Sequence, residues 1–242
     1  MSAAMARPDA AALLAAMEPT WPAAARHHIG PWLLREAPGA GRRAGCATAE
    51  WPVTPADLAV LEDKARALGQ DPLVMIRPGD EALDAALADA GWRVADPVVL
   101  YLAPAADLAA GAKPFTAFPI WPPLAIQEDF WQATGIGPER RAVMARAVQP
   151  KAALLARNVD RPGGVAFVAV SGGIGFVHAL AVLPAQRRQG SAYHMMLHAA
   201  VFAQAHGADW LALAVTAANA PARNLYASLK MEVVGQYHYR IK

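Results

Sequence analysis

A glycine-bearing turn between a strand and a helix is the clearest chemical signal in this sequence. Residues 175–183 have the apolar, β-rich pattern of a strand that Pro184 ends, and RRQGSA at 187–192 leads directly into a helical pattern. The first N–H groups of a helix have no partner inside it and carry about half a positive charge, so they bind anions. The backbone of residues 188–192 is therefore predicted to hold a pyrophosphate.

The side chains of this turn suit the same ligand. Glycine and two small residues let a phosphate approach the main chain closely, and two arginines add flanking cationic donors. The predicted phosphate-binding residues are Arg187, Arg188, Gln189, Gly190, Ser191 and Ala192. A dinucleotide fingerprint is a weaker interpretation, because GGIG at 172–175 lacks the third glycine and lies between strands.

Three histidines of the following helix recur at four- and eight-residue spacing, which places them along one face: His194, His198 and His206. The sequence offers no evident carboxylate partner, so a solvated helix face is the simplest interpretation. No metal site is predicted.

The elements that position the turn alternate between strands and helices, which indicates an α/β or α+β layered domain. Strands are predicted at 151–158, 164–170, 175–183, 210–215 and 231–241. Helices are predicted over 122–148 with a break near GIGP, from the glycine turn to about 206, and over 220–229. The apolar stripe of the middle helix is expected to include Tyr193, Met196, Leu197, Ala200 and Val201.

The N-terminal half carries a weak copy of part of this pattern. Gly69 and Gly207 are 138 positions apart, and the same shift places the strand pattern LVMIR over LALAV. We therefore predict two similar halves, residues 1–112 and 113–242, joined by the Ala-, Gly- and Pro-rich segment 103–114. In the first half, Thr54 and Pro55 are expected to begin a helix.

Composition limits the function classes. The 242 residues are 55% hydrophobic and 17% charged, enough apolar material for a large core. The formal net charge of +2 gives no drive toward nucleic acid or an anionic membrane surface. The single cysteine, Cys46, excludes an internal disulfide framework and favours a reducing, cytoplasmic compartment.

Two segments have some features of membrane or export signals. The uncharged stretch 162–186 is long enough to cross a bilayer, but its glycines and the turn SGG indicate two buried strands instead. The N-terminal segment has one basic residue before Asp9, so a short helix from near Pro8 is favoured over a secretory signal.

With these elements in order, the sequence resembles the GCN5-related N-acetyltransferase (GNAT) family. That family's pyrophosphate loop reads Arg or Gln, two residues, Gly, one residue, then Gly or Ala, and Arg187, Gly190 and Ala192 occupy those places. The strand LAVLP before the loop, the strand LALAV after the helix and the segment NAPARNLYASLKM resemble the family too. The resemblance implies a mixed, mostly antiparallel central sheet flanked by helices, preceded here by a smaller degenerate half.

The resemblance also implies a reaction. Members move an acetyl group from acetyl-CoA to an amine by direct attack through a tetrahedral intermediate. Coenzyme A contacts are then expected from the loop, from the strand backbone at Leu180, Ala181, Val182 and Leu183, and from Asn219, which could also be a helix N-cap. The same backbone could stabilise the oxyanion where neighbouring strands splay apart. The expected acceptor is a small-molecule or peptide amine, and the expected state is a monomer or homodimer.

Two side chains are candidate catalytic groups. Tyr226 stands in the family's tyrosine position and is predicted to protonate the departing thiolate, a core aromatic being the alternative. A lysine-like amine with a pKa of about 10.4 must lose a proton before attack, so a base or a water chain is needed. Phe176 stands where some members have a glutamate base, and His178, on the same strand face, is the nearest candidate. A neutral histidine hydrogen-bonded within the sheet is the alternative.

The sequence departs from the family at two places. Lys230 and Met231 follow the tyrosine helix where the family usually has glycine and an aromatic, a pair that Gly91 and Trp92 keep in the first half. The first half also lacks a glycine turn near 49–52, so only the second half is expected to bind coenzyme A.

Acceptor pockets of this family usually lie on the first helices, where this sequence has Trp121, Glu128, Asp129 and Trp131. Packing and surface charge are the alternative roles of these residues. A non-catalytic acyl-CoA-binding or regulatory module is the main rival function, because the strand glutamate is missing. A structural interaction domain without a cofactor is the third.

Overall fold

The computed structural model describes residues 6–242, in which helices flank one eleven-stranded sheet. The helices are α1 (Ala10–Thr20), α2 (Pro55–Ala67), α3 (Glu81–Asp89), α4 (Ala105–Ala109), α5 (Ala125–Ala133), α6 (Pro138–Arg146), α7 (Ser191–Ala205) and α8 (Ala220–Ser228). The strands are β1 (Ala25–Ile29), β2 (Trp32–Glu36), β3 (Ala47–Ala49), β4 (Leu73–Ile76), β5 (Arg93–Pro104), β6 (Ala117–Ile120), β7 (Lys151–Asn158), β8 (Arg161–Ser171), β9 (Ile174–Ala181), β10 (Trp210–Thr216) and β11 (Glu232–Ile241).

The sheet is mixed and mostly antiparallel, which confirms the predicted fold class. Its order is β1-β2-β3-β4-β11-β5-β10-β9-β8-β7-β6. Within the described residues β3 runs parallel to β4 and β9 runs parallel to β10, while the other neighbours are antiparallel. The uncharged stretch 162–186 forms the β8–β9 hairpin, as predicted. No helix among residues 6–242 has both the length and the apolar character to span a membrane.

Local sequence signals set several helix ends. Asp9 caps α1 by accepting a hydrogen bond from the Ala12 N–H at 2.8 Å, so this acid begins a helix in the Ala-rich N-terminal segment. Helix α2 begins at Pro55 after Thr54, as predicted. Gly207, with φ of +79°, follows the end of α7.

The two predicted halves share the sheet by exchanging their last strands. The order β4, α3, β5 in the first half recurs as β10, α8, β11 in the second. Strand β11 lies between β4 and β5, and β5 lies between β11 and β10. Each half therefore completes the sheet of the other. The division into residues 1–112 and 113–242 stays a prediction about the sequence, and the sheet itself is continuous across it.

The segment predicted as an irregular linker, 103–114, is partly regular. Strand β5 runs to Pro104, and α4 follows at once and packs against α7. The Ala105 N–H donates to the Asp209 carbonyl at 2.8 Å, which ties this connection to the second half. The segment contains a short helix because alanine-rich composition supports a helix as readily as a loop.

Helices cover both faces of the sheet. Helices α2, α3, α4, α7 and α8 lie on one face, and α1, α5 and α6 lie on the other. The buried side of α7 includes Met195, Met196 and Leu197, whereas Tyr193 and Val201, expected in its buried stripe, are each 39% exposed. Apolar residues occur all round this helix, so periodicity does not single out the buried face.

Candidate functional site

The start of α7 leaves its backbone donors open. Gly190 is the N-cap with a left-handed φ of +84°, and Arg188 has φ of +62°. The first helical bond runs from the His194 N–H to the Gly190 carbonyl at 2.9 Å, and the N–H groups of residues 188–193 have no acceptor among residues 6–242. Such a row of unpaired donors at the positive end of a helix fits a pyrophosphate.

Helix α2, which corresponds to α7 in the first half, has a carboxylate of its own at its N-terminus. The backbone N–H and the hydroxyl of Thr54 donate to the Asp57 carboxylate at 2.8 and 2.6 Å, and these bonds lower the pKa of Asp57. A carboxylate therefore already occupies the positive end of α2. This contrast supports the prediction that only the second half binds coenzyme A.

Side chains around the α7 turn are also suited to binding a ligand. Arg187 and Arg188 are exposed, and Gln189 accepts a hydrogen bond from Asn158. Ser191 is buried, and its hydroxyl has no hydrogen-bond partner within the described chain. A Cβ on Gly163 would lie 2.3 Å from that hydroxyl, so glycine there makes room for the start of the helix.

Strands β9 and β10 separate close to this turn. Their parallel pairing ends at Val177 and Leu213, although β9 continues to Ala181 and β10 to Thr216. The edge of β9 that faces β10 is therefore unpaired along the segment leading to Leu183. Splayed strands were expected here, and the opening exposes main-chain donors and acceptors to whatever enters it.

A β-bulge turns the backbone at this opening. Ala179 has a left-handed φ of +51°, and the β8–β9 register shifts beside it. Nε1 of Trp131 donates to the Ala179 carbonyl at 2.9 Å, and Trp131 is fully buried. Trp131 thus holds the bulge from the sheet face that carries α1, α5 and α6.

Tyr226 reaches the same core face as the predicted cofactor segment. It packs in one cluster with Leu180, Val182 and Ala192, and its ring centroid lies 5.4 Å from that of Tyr101. Its hydroxyl has no hydrogen-bond partner in the part of the chain described. Burial raises the pKa of Tyr226 to about 12, the nearby Arg43 opposing the shift.

The two ends of α8 follow ordinary capping rules. Asn219 is the N-cap, and its side-chain oxygen accepts from the Ala222 N–H at 3.2 Å, which leaves its amide NH2 for another partner. At the other end Lys230 has a left-handed φ of +57°, in the place that Gly91, with φ of +80°, takes after α3. The Met231 N–H donates to the Tyr226 carbonyl at 3.0 Å, so the turn that follows the tyrosine helix forms without glycine.

His178 is buried with both ring nitrogens engaged. Nδ1 lies 3.1 Å from Nη1 of Arg43, and Nε2 lies 3.1 Å from the Thr20 hydroxyl. A guanidinium only donates, so Nδ1 accepts and Nε2 carries the hydrogen. The ring stacks on Phe176 at 4.9 Å and on Trp21 at 4.8 Å. Burial, helped by Arg43, places the pKa of His178 well below its ordinary value.

We expect this buried neutral histidine to make folding stability depend on pH. The unfolded chain binds a proton at His178 below about pH 6.5, whereas the folded chain does so only at much lower pH. Stability should be full above pH 6.5 and fall by up to about 1.4 kcal/mol per pH unit below it. Thermal unfolding from pH 7.5 to 5 should show a shallower loss for His178→Gln. The exposed His206→Gln is the control, and equal slopes for both variants would contradict the assignment.

Arg43 is the residue at this site that the sequence did not reveal. It lies between β2 and β3, and its Nη2 donates to the Ala214 carbonyl at 3.0 Å, directly beyond the last β9–β10 pair. Its guanidinium therefore bridges His178 on β9 and Ala214 on β10 across the opening. Its Nε is buried without a partner in the described chain. No spacing signal could connect it to a histidine 135 positions away.

A cavity of about 600 Å³ adjoins this cluster. It lies between α1 and strands β1–β4, and Trp21 and Arg43 line it. Both residues contact His178, so the cavity wall adjoins the His178 cluster on the sheet face that lies away from Tyr226.

The residues expected to build an acceptor pocket do not converge on one. Trp131 is in the core, Glu128 and Asp129 are exposed, and Trp121 lines a separate cavity of about 350 Å³ with Lys151. The alternative roles of packing and surface charge describe these residues better, because α5 packs its apolar side against β8 and β9.

The helix histidines are only partly a solvated face. His194 and His198 are half-buried, and Nε2 of His198 lies 2.9 Å from the Lys113 carbonyl, while His206 is exposed. Residues 6–242 contain no group of three or more His, Cys, Asp or Glu side chains placed to hold a metal ion.

Most of the residues around the α7 turn lie in a part of the chain that matches a known family. Residues 117–231 match the acetyltransferase (GNAT) family. This part of the chain belongs to the GNAT family. The GNAT segment contains the α7 turn, the β9–β10 opening and Tyr226, and membership supports acyl transfer from coenzyme A as the general activity. None of the curated proteins matches the chain.

Solved structures extend the GNAT fold over nearly the whole chain. A GCN5-related N-acetyltransferase from Kribbella flavida is similar with a TM-score of 0.71 and 20% identity, covering 98% of this chain and 96% of that one. A putative GNAT acetyltransferase from Novosphingobium aromaticivorans has a TM-score of 0.55 and 17% identity, covering 89% of each chain. A tandem GNAT protein from the clavulanic acid biosynthesis pathway is similar with a TM-score of 0.58 and 13% identity, covering 81% of this chain and 74% of that one.

Proposed function

We propose that this protein is an acetyl-CoA-dependent N-acetyltransferase acting on a small-molecule or peptide amine. The observation that carries the proposal is the helix start at Gly190, whose amides are unpaired, next to an opening between β9 and β10 on the face that holds Tyr226. A cytoplasmic location and a monomeric or dimeric state stay predictions.

The chain's own residues divide the work of binding. The amides of residues 188–193 and the side chains of Arg187 and Arg188 hold the pyrophosphate. The unpaired edge at the end of β9, with Val182 and Leu183 beyond it, pairs with the pantetheine amides as a neighbouring strand would. Asn219 keeps its amide NH2 for the cofactor while its oxygen caps α8.

Acetyl-CoA, when bound, supplies a thioester carbonyl for the amine to attack. Main-chain N–H groups of residues 180–183 stabilise the charge that develops on the carbonyl oxygen. Tyr226 stays protonated at any working pH because its pKa is about 12. Complete proton transfer to a thiolate with a pKa of about 8.5 would cost about 5 kcal/mol, so Tyr226 acts mainly by donating a hydrogen bond to the sulfur.

The amine's proton needs a different acceptor. His178 is neutral at pH 7, but the lone pair of Nδ1 already accepts from Arg43, so taking a proton there would break that bond. We therefore propose that His178 fixes the Arg43 guanidinium in the opening and that water carries the proton away. This geometry fits the hydrogen-bonded, neutral histidine better than the general base.

Thiol release with an amine panel tests the proposal directly. Incubation with acetyl-CoA should release free thiol above background for at least one amine. Coenzyme A at 100 times its Kd should stabilise the folded chain by about 2.7 kcal/mol and so raise its melting temperature. Binding without transfer to any amine would favour the non-catalytic acyl-CoA-binding module. The absence of a glutamate at the Phe176 position is consistent with that function. Failure to bind would overturn both.

A further inference from the structure

We infer that the cavity between α1 and β1–β4 binds the acceptor, and that the acceptor is an α-amino-acid-like amine whose carboxylate pairs with Arg43. This inference rests on the proposed function for the transfer step, and its binding step can be tested without it. The observations are the charges of the cavity wall, the partners of Arg43 and the place where that guanidinium lies.

The cavity wall carries unbalanced positive charge. Its ionisable residues are Arg26, Arg35, Arg43, Arg77, Glu18 and Asp80. Arg35 and Arg26 share Glu18, at 2.8 and 3.3 Å, and Arg77 pairs with Asp80 at 2.8 Å. The wall therefore has an excess of two cations.

Arg43 is the cation that the fold leaves without a counter-ion. Its hydrogen-bond partners are the His178 ring and the Ala214 carbonyl, and the phenol groups of Tyr237 and Tyr239 lie beside it. Within residues 6–242 no carboxylate lies within ion-pair distance of it. A buried charge is costly unless it is paired, so a carboxylate entering the cavity would meet a cation that is already in place.

The position of Arg43 limits how far the amine can be from the carboxylate. The guanidinium lies at the β9–β10 opening, where the attacking nitrogen must also arrive. An amine and a carboxylate on the same carbon meet both requirements, whereas a long spacer would carry the nitrogen away from the opening. The rest of the wall includes Leu14, Met17 and Met75, which suit an apolar side chain.

The test compares apolar α-amino acids with their own primary amides on the full chain. Leucine, methionine and phenylalanine are titrated against leucinamide, methioninamide and phenylalaninamide, first by calorimetry and melting temperature without acetyl-CoA, then by thiol release with it. We expect at least one acid to bind at least tenfold more tightly than its amide. The preference cannot come from amine basicity, because the amide has the more readily deprotonated amine.

Variants locate the effect at Arg43. Arg43→Gln should reduce the acid-to-amide ratio to less than threefold, and Arg43→Lys, which keeps the charge, should retain part of it. Arg187→Gln, outside the cavity wall, should leave the ratio unchanged and weaken coenzyme A binding. If Arg43→Gln fails to fold, the acid-to-amide ratios of the wild-type protein and of Arg43→Lys test the inference.

The outcomes separate the two ideas. Equal affinity or rate for acids and amides, or no binding of any acid, would overturn this inference while leaving acetyl transfer to other amines intact. Acid-selective binding without thiol release would sustain the cavity assignment and count against the proposed function.

Discussion

Tyr226→Phe is expected to lower kcat about 100-fold while leaving coenzyme A affinity within threefold. The loss removes the hydrogen bond to the departing sulfur, and it lies at the low end of acid catalysis because a phenol with a pKa of about 12 is a weak acid. Folding should be nearly unaffected, since the ring still packs on Tyr101 and the hydroxyl leaves no partner unpaired in the described chain. Steady-state thiol release and calorimetry measure the two quantities.

The matched control is Tyr101→Phe, which removes a hydroxyl from the adjoining ring. It should change kcat less than threefold. Equal losses in the two variants would point to packing and not to chemistry at Tyr226. An unchanged kcat for Tyr226→Phe would make a non-catalytic binding module the better interpretation.

Gly190→Asp is expected to weaken coenzyme A binding about 100-fold relative to Gly190→Asn. Both side chains tolerate the left-handed φ of +84°, and a Cβ there would lie in ordinary contact with the His194 ring, 3.5 Å away. The two variants share any backbone strain, so their difference isolates the charge. Two unit charges about 4 Å apart repel by about 4 kcal/mol at an effective dielectric constant near 20.

Stability should change in the opposite direction. An aspartate at a helix N-terminus stabilises it by about 0.3–1 kcal/mol, so the ligand-free Asp variant should unfold at or above the temperature of the Asn variant. The substitution would place a carboxylate at the N-terminus of α7, as Asp57 does at the N-terminus of α2. Equal coenzyme A affinities for the two variants at one ionic strength would show that the diphosphate lies elsewhere.

The parts of the site that the sequence predicted are those built from neighbouring residues. Strand, glycine turn and helix follow one another from β9 to α7, so the open N-terminus could be recognised from spacing alone. The capping residues Thr54 and Pro55 were found for the same reason. Phe176 and His178 share a face because alternate residues of a strand always do, and their rings stack.

What the sequence missed depends on long-range contacts. Arg43, Thr20 and Trp21 reach His178 from positions far away in the chain, and no periodicity links them. The sequence left Trp131 open between an acceptor pocket and simple packing. The structure buries it with a hydrogen bond to the Ala179 carbonyl, because burial of an aromatic depends on what α5 packs against.

The sequence by itself determined the GNAT order of elements, the glycine turn that begins α7 and the Thr54–Pro55 start of its first-half counterpart, since capping and turn chemistry act over a few residues. Only the tertiary structure decided that β5 and β11 change places between the halves, and that an arginine of the first half lies in the opening of the second. Strand partners are chosen by the packing of whole faces, and that choice joins residues that the chain itself keeps far apart.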